Sequence, residues 1–330
     1  MTESLWLAGA GLALGLVLLV KAADVFVDGA SAVAGNLGVR PLVVGLLVVG
    51  FGTSAPELLV SGLAAWDGRP GLAVGNAVGS NIANVALILG ATALVAPLTV
   101  QSGLLKREMP VPLAAMLLAL ALLADGVLGR GDGIVMLAAF GGVVAWTLVL
   151  ARRERVGGGA DPITAEYAAH MPAAIGTGRA LLRTAVGLVV LLAGARLLVW
   201  SAVQIARGWG MSDLVIGLTV VAVGTSLPEL AAALAAARKG KHDIAVGNVV
   251  GSNTFNILAA VGVAGTIGPG AFDPEVLTRD FPVMIGLTVA LFAMAYGVRG
   301  PGRINRVEGT VLLLCFAAYL VLLAREAGAF

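Results

Sequence analysis

Two stretches of the chain set the same oxygen-bearing side chains into apolar runs. In VGFGTSAPELLVSG (49–62), Thr53, Ser54 and Glu57 lie three and four residues apart and share one helix face, with Ser61 a further turn along. VAVGTSLPELAAAL (221–234) repeats the set as Thr225, Ser226 and Glu229, but Ala233 stands where Ser61 does. The stretch after each carries Asn76, Ser80 and Asn84, then Asn248, Ser252 and Asn256, at i, i+4 and i+8. Each is a polar stripe on a segment otherwise built of Val, Ala, Ile and Gly. Pro56 and Pro228 withdraw the usual donor from the carbonyls of Gly52 and Gly224 and bend their helices. The donors gathered here are carboxylate, amide, hydroxyl and backbone oxygens, with no imidazole and no thiolate. Such a set selects hard cations, Ca2+, Na+ or Mg2+, over Zn2+ or Cu+. Two facing glutamates repel in a low dielectric. One Ca2+ neutralises them, and so do two or more Na+, so competition for one ligand set is a physical basis for exchange.

These residues must be positioned by membrane helices. The 330 residues are 59% hydrophobic and only 12% charged, too little charge to cover a water-soluble domain of this size. Spanning hydrocarbon takes about 20 apolar residues per helix. On that measure the chain divides into roughly ten stretches, at 4–34, 40–66, 72–96, 108–124, 132–151, 180–206, 212–237, 243–268, 281–298 and 307–324. The fold class expected is an all-α polytopic membrane protein. The net charge of +2 reflects loop arginines and says little about partners, no nucleic-acid partner is expected, and the single cysteine, Cys315, permits no intramolecular disulfide. The N-terminal apolar run lacks a basic leader and a cleavage site, and is read as a retained first helix. With the N-terminus outside, fourteen Lys and Arg fall in inner loops against five in outer loops. Both termini are therefore expected outside.

The two stretches are the centre of a longer duplication. RPLVVGLLVVGFGTSAPELLVSG matches SDLVIGLTVVAVGTSLPELAAAL, and AVGNAVGSNIANVALILG matches AVGNVVGSNTFNILAAVG, always at an offset of 172 residues. A constant offset through two helices and their loop indicates duplication. Five helices separate equivalent points, so the second copy must run in the opposite sense through the membrane. Two inverted five-helix repeats follow, 1–151 and 180–330, with the site expected near the midplane where they meet. Residues 152–179 read as a cytoplasmic linker.

Blander readings compete at single residues. One membrane glutamate can be a satisfied hydrogen-bond partner, and asparagines can simply join helices. Two carboxylates in duplicated contexts with matching stripes make that account improbable. Lys21, Asp24 and Asp28 suit snorkelling or a Lys21–Asp24 pair. The 172 offset also sets Arg196 opposite Asp24 as a weaker pairing. His170 and His242 read as solvated loop residues.

GTSAPEL…GNAVGSNIAN and GTSLPEL…GNVVGSNTFN resemble the two alpha-repeats of the cation/Ca2+ antiporter superfamily, of the prokaryotic sodium/calcium exchanger type. The resemblance covers the ten-helix plan and is most specific over 40–95 and 212–267. It implies that helices two, three, seven and eight form the ion site while helices one and six slide across them as gates. It places the ligands at Glu57 and Glu229, Thr53 and Thr225, Ser54 and Ser226, Ser80 and Ser252, and Asn84 and Asn256. Backbone oxygens are implied at Gly50 and Ala222. Some relatives, including potassium-dependent ones, carry Asp where this chain has Asn256, which argues against potassium co-transport. Proton-coupled relatives carry a glutamate in the GN segments, and GNAVGS and GNVVGS lack it, which favours sodium. The regulatory domain of animal relatives has no counterpart in the sequence, so its Ca2+ regulation is expected to be missing.

The function expected is Na+/Ca2+ antiport by alternating access, extruding Ca2+ across the inner (plasma) membrane. Its partners are the two ions and the lipid bilayer, with no cofactor and no obligatory protein partner. H+/divalent-cation exchange is the alternative. A channel would more often build its filter around an oligomer axis, and an intramembrane hydrolase lacks a nucleophile–base pair.

Overall fold

A computed structural model describes residues 2–37, 41–100, 108–156, 175–208, 222–295 and 302–326. Within hydrocarbon, backbone polar groups must be satisfied inside the segment itself, so the apolar runs become helices. In chain order these are α1 (Thr2–Leu37), α2 (Gly45–Thr53), α3 (Ala55–Trp66), α4 (Pro70–Val95), α5 (Pro110–Leu122) and α6 (Arg130–Val156). Then come α7 (Thr177–Gly208), α8 (Ala222–Thr225), α9 (Leu227–Arg238), α10 (His242–Ile267), α11 (Val276–Ala295) and α12 (Arg306–Glu326). Among the described residues seven helices are long and apolar enough to cross a membrane, eight if the bent pair α2–α3 counts as one span. The shorter apolar helix α5 stands where 108–124 was expected. The expected span 212–237 is described only from Ala222 onward, and 157–174 of the expected linker, with His170, lies outside the described residues.

The expected helix 40–66 is broken. Ser54 leaves the helical region (φ −84°, ψ 8°), and α3 departs from α2 at 49°. Ser226 takes nearly the same conformation between α8 and α9 (φ −89°, ψ 5°). The cause is local: Pro56 and Pro228 occupy the first turn of the following helix, where a missing N–H costs nothing. Each helix restarts from the serine carbonyl, which accepts the N–H of Leu58 at 3.2 Å or of Leu230 at 3.0 Å.

Other features recur at the same offset. Gly68 (φ 71°) and Gly240 (φ 69°) close α3 and α9 in the left-handed region that glycine tolerates. Arg69 N–H reaches Ala64 O at 2.8 Å, and Lys241 N–H reaches Ala236 O at 2.9 Å.

The centre of the molecule is α10, whose membrane-spanning stretch is wholly buried, whereas α6 and α12 present most of their surface outward. Helices meet through small residues where backbones must approach. A Cβ on Gly50 would lie 2.9 Å from Asn248 O and Ser252 N, so α2 crosses α10 backbone to backbone. Gly15 meets Leu198 and Gly187 meets Phe26, the same α1–α7 contact made twice. Gly45 lies against Ile244, near the start of α10, and Gly268, just past its end, lies against Ala65 at the end of α3. The end of α3 is therefore at the far end of α10, while the end of α9 is at its beginning.

The all-helical expectation needs one addition. Strands β1 (Leu98–Val100) and β4 (Gly302–Ile304) pair antiparallel, as do β2 (Val127–Leu128) and β3 (Gly270–Ala271). These short ladders pair the backbone groups of connecting segments beyond the helix ends, and each joins one half of the chain to the other.

Candidate functional site

Glu57 and Glu229 lie in the first turns of α3 and α9, immediately after the breaks, and each is 1% exposed. The breaks turn serine side chains inward: Ser54 Oγ donates to Glu229 Oε1 at 2.9 Å. One turn before Glu57, then, a hydroxyl serves the other glutamate, and the two carboxylates belong to one polar cluster. The Thr53 hydroxyl, with one proton to donate, lies within hydrogen-bond distance of three acceptors: Val49 O (3.0 Å), Gly50 O (3.3 Å) and Asn248 Oδ1 (3.2 Å). Ser252 Oγ donates to Gly50 O at 3.0 Å, so the carbonyl implied as a ligand is a convergence point for hydroxyls.

The asparagines divide into two roles. Asn76 Nδ2 donates to Glu57 O at 3.3 Å, and Asn248 Nδ2 to Glu229 O at 3.0 Å, holding the backbone beneath each carboxylate. Asn84 and Asn256 spend their amide N–H groups across the interface between α4 and α10. Asn84 Nδ2 donates to Asn253 Oδ1 at 3.0 Å, and Asn256 Nδ2 to Asn81 Oδ1 at 3.2 Å.

Of the buried oxygens with no partner among the described residues, five belong to the anticipated set: Glu57 Oε2, Glu229 Oε2, Asn84 Oδ1, Asn256 Oδ1 and Ser226 Oγ. An unsatisfied buried oxygen costs several kcal/mol in hydrocarbon. Five from the anticipated set, drawn from both halves, are what a dehydrated hard cation would satisfy. Among the described residues no group of three or more His, Cys, Asp and Glu gathers, so nitrogen and sulfur sites for softer metals are not formed there. Ser80 is buried beside Asn81, and Thr225 is half-buried at the end of α8. Ala222 opens α8.

Several expectations are corrected. Asp24 and Asp28 pair neither with Lys21 nor with Arg196. Lys239 Nζ lies 3.2 Å from Asp24 Oδ1 and 2.8 Å from Asp28 Oδ2, and Lys241 Nζ lies 3.1 Å from Asp28 Oδ1. The α9–α10 turn brings both lysines against α1, which the local sequence around Asp24 cannot reveal. His242 is half-buried at the start of α10, not solvated, because α10 is central along its whole length. Ser61, left outside the paired set, accepts from Asn76 at 3.1 Å and donates to Ala73 O at 3.3 Å, tying α3 to α4.

Sequence reasoning missed Asn81 and Asn253. They lie one position off the i, i+4, i+8 stripe and were passed over, although GSN stands in both copies at the 172 offset and marks them.

Fold and site together define a multi-pass membrane transporter with an oxygen-lined polar centre. The chain belongs to the sodium/calcium exchanger protein family, whose model matches residues 7–149 and 179–325. It is 48% identical over 309 residues to CaxA of Alkalimonas amylolytica, covering 94% of this chain and 96% of that protein. It is 41% identical over 319 residues to the inner membrane protein YrbG of Escherichia coli, covering 96% and 97%. A solved structure of the sodium-calcium exchanger NCX_Mj, soaked with 2.5 mM Na+ and 0.1 mM Sr2+, superposes with a TM-score of 0.81 at 31% identity, covering 96% of this chain and 99% of that one.

Proposed function

We propose that this protein exchanges Na+ for Ca2+ across the inner membrane by alternating access, extruding Ca2+. The observation that carries the reading is the five anticipated donors, from both halves, that are buried with no partner among the described residues: two carboxylate, two amide and one hydroxyl oxygen. The proposed ligands are Glu57, Glu229, Thr53, Thr225, Ser54, Ser226, Ser80, Ser252, Asn84 and Asn256, with backbone oxygens of Gly50 and Ala222. Two carboxylates balance one Ca2+ or two Na+, and the neutral oxygens replace water around whichever ion is bound. Because the ions compete for the same oxygens, neither is held together with the other's full complement, and that exclusion couples their movements. No resident cofactor is required.

The architecture proposed is ten helices in two inverted five-helix repeats, 1–151 and 180–330, with a cytoplasmic linker at 152–179 and both termini outside. The recurrence of the Ser54 and Ser226 breaks, and the placement of the α3 and α9 ends at opposite ends of α10, support it. Inversion supplies alternating access, since each repeat takes up the conformation of the other when the site changes sides.

The test is Ca2+ uptake into proteoliposomes driven by an imposed Na+ gradient. Uptake is expected from the parent protein and is expected to be abolished in both Glu57→Gln and Glu229→Gln, because one carboxylate leaves a divalent ion uncompensated. Uptake that follows a pH gradient and ignores the Na+ gradient would instead assign H+/divalent exchange.

A further inference from the structure

Resting on that site, we propose that Asn81 and Asn253 are positioning residues that aim the amide oxygens of Asn84 and Asn256 at the transported ion. An amide presents an oxygen on one side and an NH2 on the other, and only the oxygen can bind a cation. Asn253 Oδ1 takes the Nδ2 of Asn84, and Asn81 Oδ1 takes the Nδ2 of Asn256, so each ligand's NH2 is pinned across the interface. Asn81 Nδ2 also donates to Asn253 O at 3.1 Å, locking the pair to each other. All four side chains are buried, and the Oδ1 atoms of Asn84 and Asn256 are left without partners among the described residues. The arrangement crosses between halves: each half's ligand is oriented by the other half's positioning residue.

That crossing makes the test specific. Asn253→Ala removes only the acceptor for Asn84, since the Asn253 backbone carbonyl stays. Loss of such a supporting contact raises the half-saturating Ca2+ by about tenfold or more, read by calorimetric titration of purified protein. Added to Asn84→Ala, Asn253→Ala is expected to cause no further loss, because it acts through a side chain already removed. Added to Asn256→Ala, its effect should multiply in full. Asn81→Ala removes the acceptor for Asn256 and also the Nδ2 bond to Asn253 O, so on Asn256→Ala it is expected to cause less than its full single-variant loss, with a remainder that disappears when Asn84→Ala is added. Asn253→Asp keeps the acceptor oxygen and is expected to bind Ca2+ at least as tightly as the parent. Additivity in every pair, or a loss in Asn253→Asp equal to that in Asn253→Ala, overturns the positioning role. The site itself is judged separately: Glu57→Gln binding Ca2+ as the parent does would remove the site reading whatever the asparagine pairs show.

A second, independent observation concerns charge at the two ends of the α1–α7 pair. The 172 offset maps Asp24 onto Arg196 and Asp67 onto Lys239, so the pair Asp24–Lys239, which runs between the halves, corresponds to a second inter-half pair, Arg196–Asp67, with acid and base exchanged. In this structure Asp24 pairs with Lys239, while Asp67 pairs with its neighbour Arg69 at 3.0 Å. Arg196 is exposed and forms no ion pair among the described residues. Asp67 follows α3 at the far end of α10 from Lys239. We infer that Asp24–Lys239 and Arg196–Asp67 are alternating latches, one closed in each access state.

Cross-linking with a bifunctional methanethiosulfonate reagent in a Cys315→Ser background tests this, since Cys315 is a free, exposed thiol and cysteine side chains need a spacer to cover the reach of Lys and Arg. The double variants Asp24→Cys/Lys239→Cys and Asp67→Cys/Arg196→Cys are each expected to cross-link. A protein carrying all four substitutions is expected to form one bridge or the other in any molecule. Failure of the Asp67→Cys/Arg196→Cys pair to cross-link, or both bridges in one molecule, overturns the latch. The readout is peptide mass, so it does not depend on which ion is carried.

Discussion

A carboxylate held in hydrocarbon needs compensation worth several kcal/mol. Glu229 receives part of it from the Ser54 hydroxyl, yet Oε2 of both Glu57 and Glu229 has no partner among the described residues. Ser61 and Ala233 show which neighbours are incidental to that demand. Ser61 serves Asn76, which braces the backbone of Glu57, while Asn248 braces Glu229 with Ala233 at the equivalent position. The added hydroxyl is therefore dispensable to the brace. Ala233→Ser gives Asn248 the acceptor that Asn76 already has, and Na+-driven Ca2+ uptake is expected to stay within about twofold of the parent, with stability changed by less than about 1 kcal/mol. A tenfold loss of uptake in Ala233→Ser would place that position inside the ligand set.

At the scale of elements, much of the site's scaffold was legible. Apolar runs of spanning length gave the helices, and the duplicated prolines anticipated bends near Glu57 and Glu229. The break itself was not legible, because a proline can kink a continuous helix or begin a new one. Only the packed structure shows Ser54 released to turn toward Glu229. The Asn81 and Asn253 clasps were equally hidden, since a stripe along one helix carries no information about the side chain across the interface. The α2–α10 crossing yields a stability prediction. A Cβ on Gly251 would run into the Leu46 backbone carbonyl, with no flexible side chain there to yield. Gly251→Ala must push α2 from α10, and overpacking of this kind costs typically 1–3 kcal/mol. Gly141, exposed on α6 with nothing near its Cβ position, has no such constraint. In detergent, Gly251→Ala is expected to lower the unfolding temperature by several degrees and Gly141→Ala to leave it unchanged or slightly higher. Equal behaviour of the two variants would mean that this crossing tolerates separation.

For the whole molecule the decisive fact is how the halves are joined. The α1–α7 and α2–α10 crossings, both strand ladders and the asparagine clasps all run between residues before and after the segment 152–179, the proposed linker. Each half supplies only one glutamate to the site. The covalent connection at 152–179 should therefore be dispensable for association, while the halves should be useless apart. Cleavage at a protease site inserted within 157–174 is expected to leave two fragments that purify together through a tag on either one. The cleaved protein should bind Ca2+ within about twofold of the intact chain, because binding depends on the interface and not on the linker. Either fragment expressed alone should bind no Ca2+ by calorimetry, since a single carboxylate and half the neutral oxygens cannot replace the ion's hydration. Fragments that separate after cleavage would show that the linker holds the site together, and Ca2+ binding by a lone half would move the site inside one repeat.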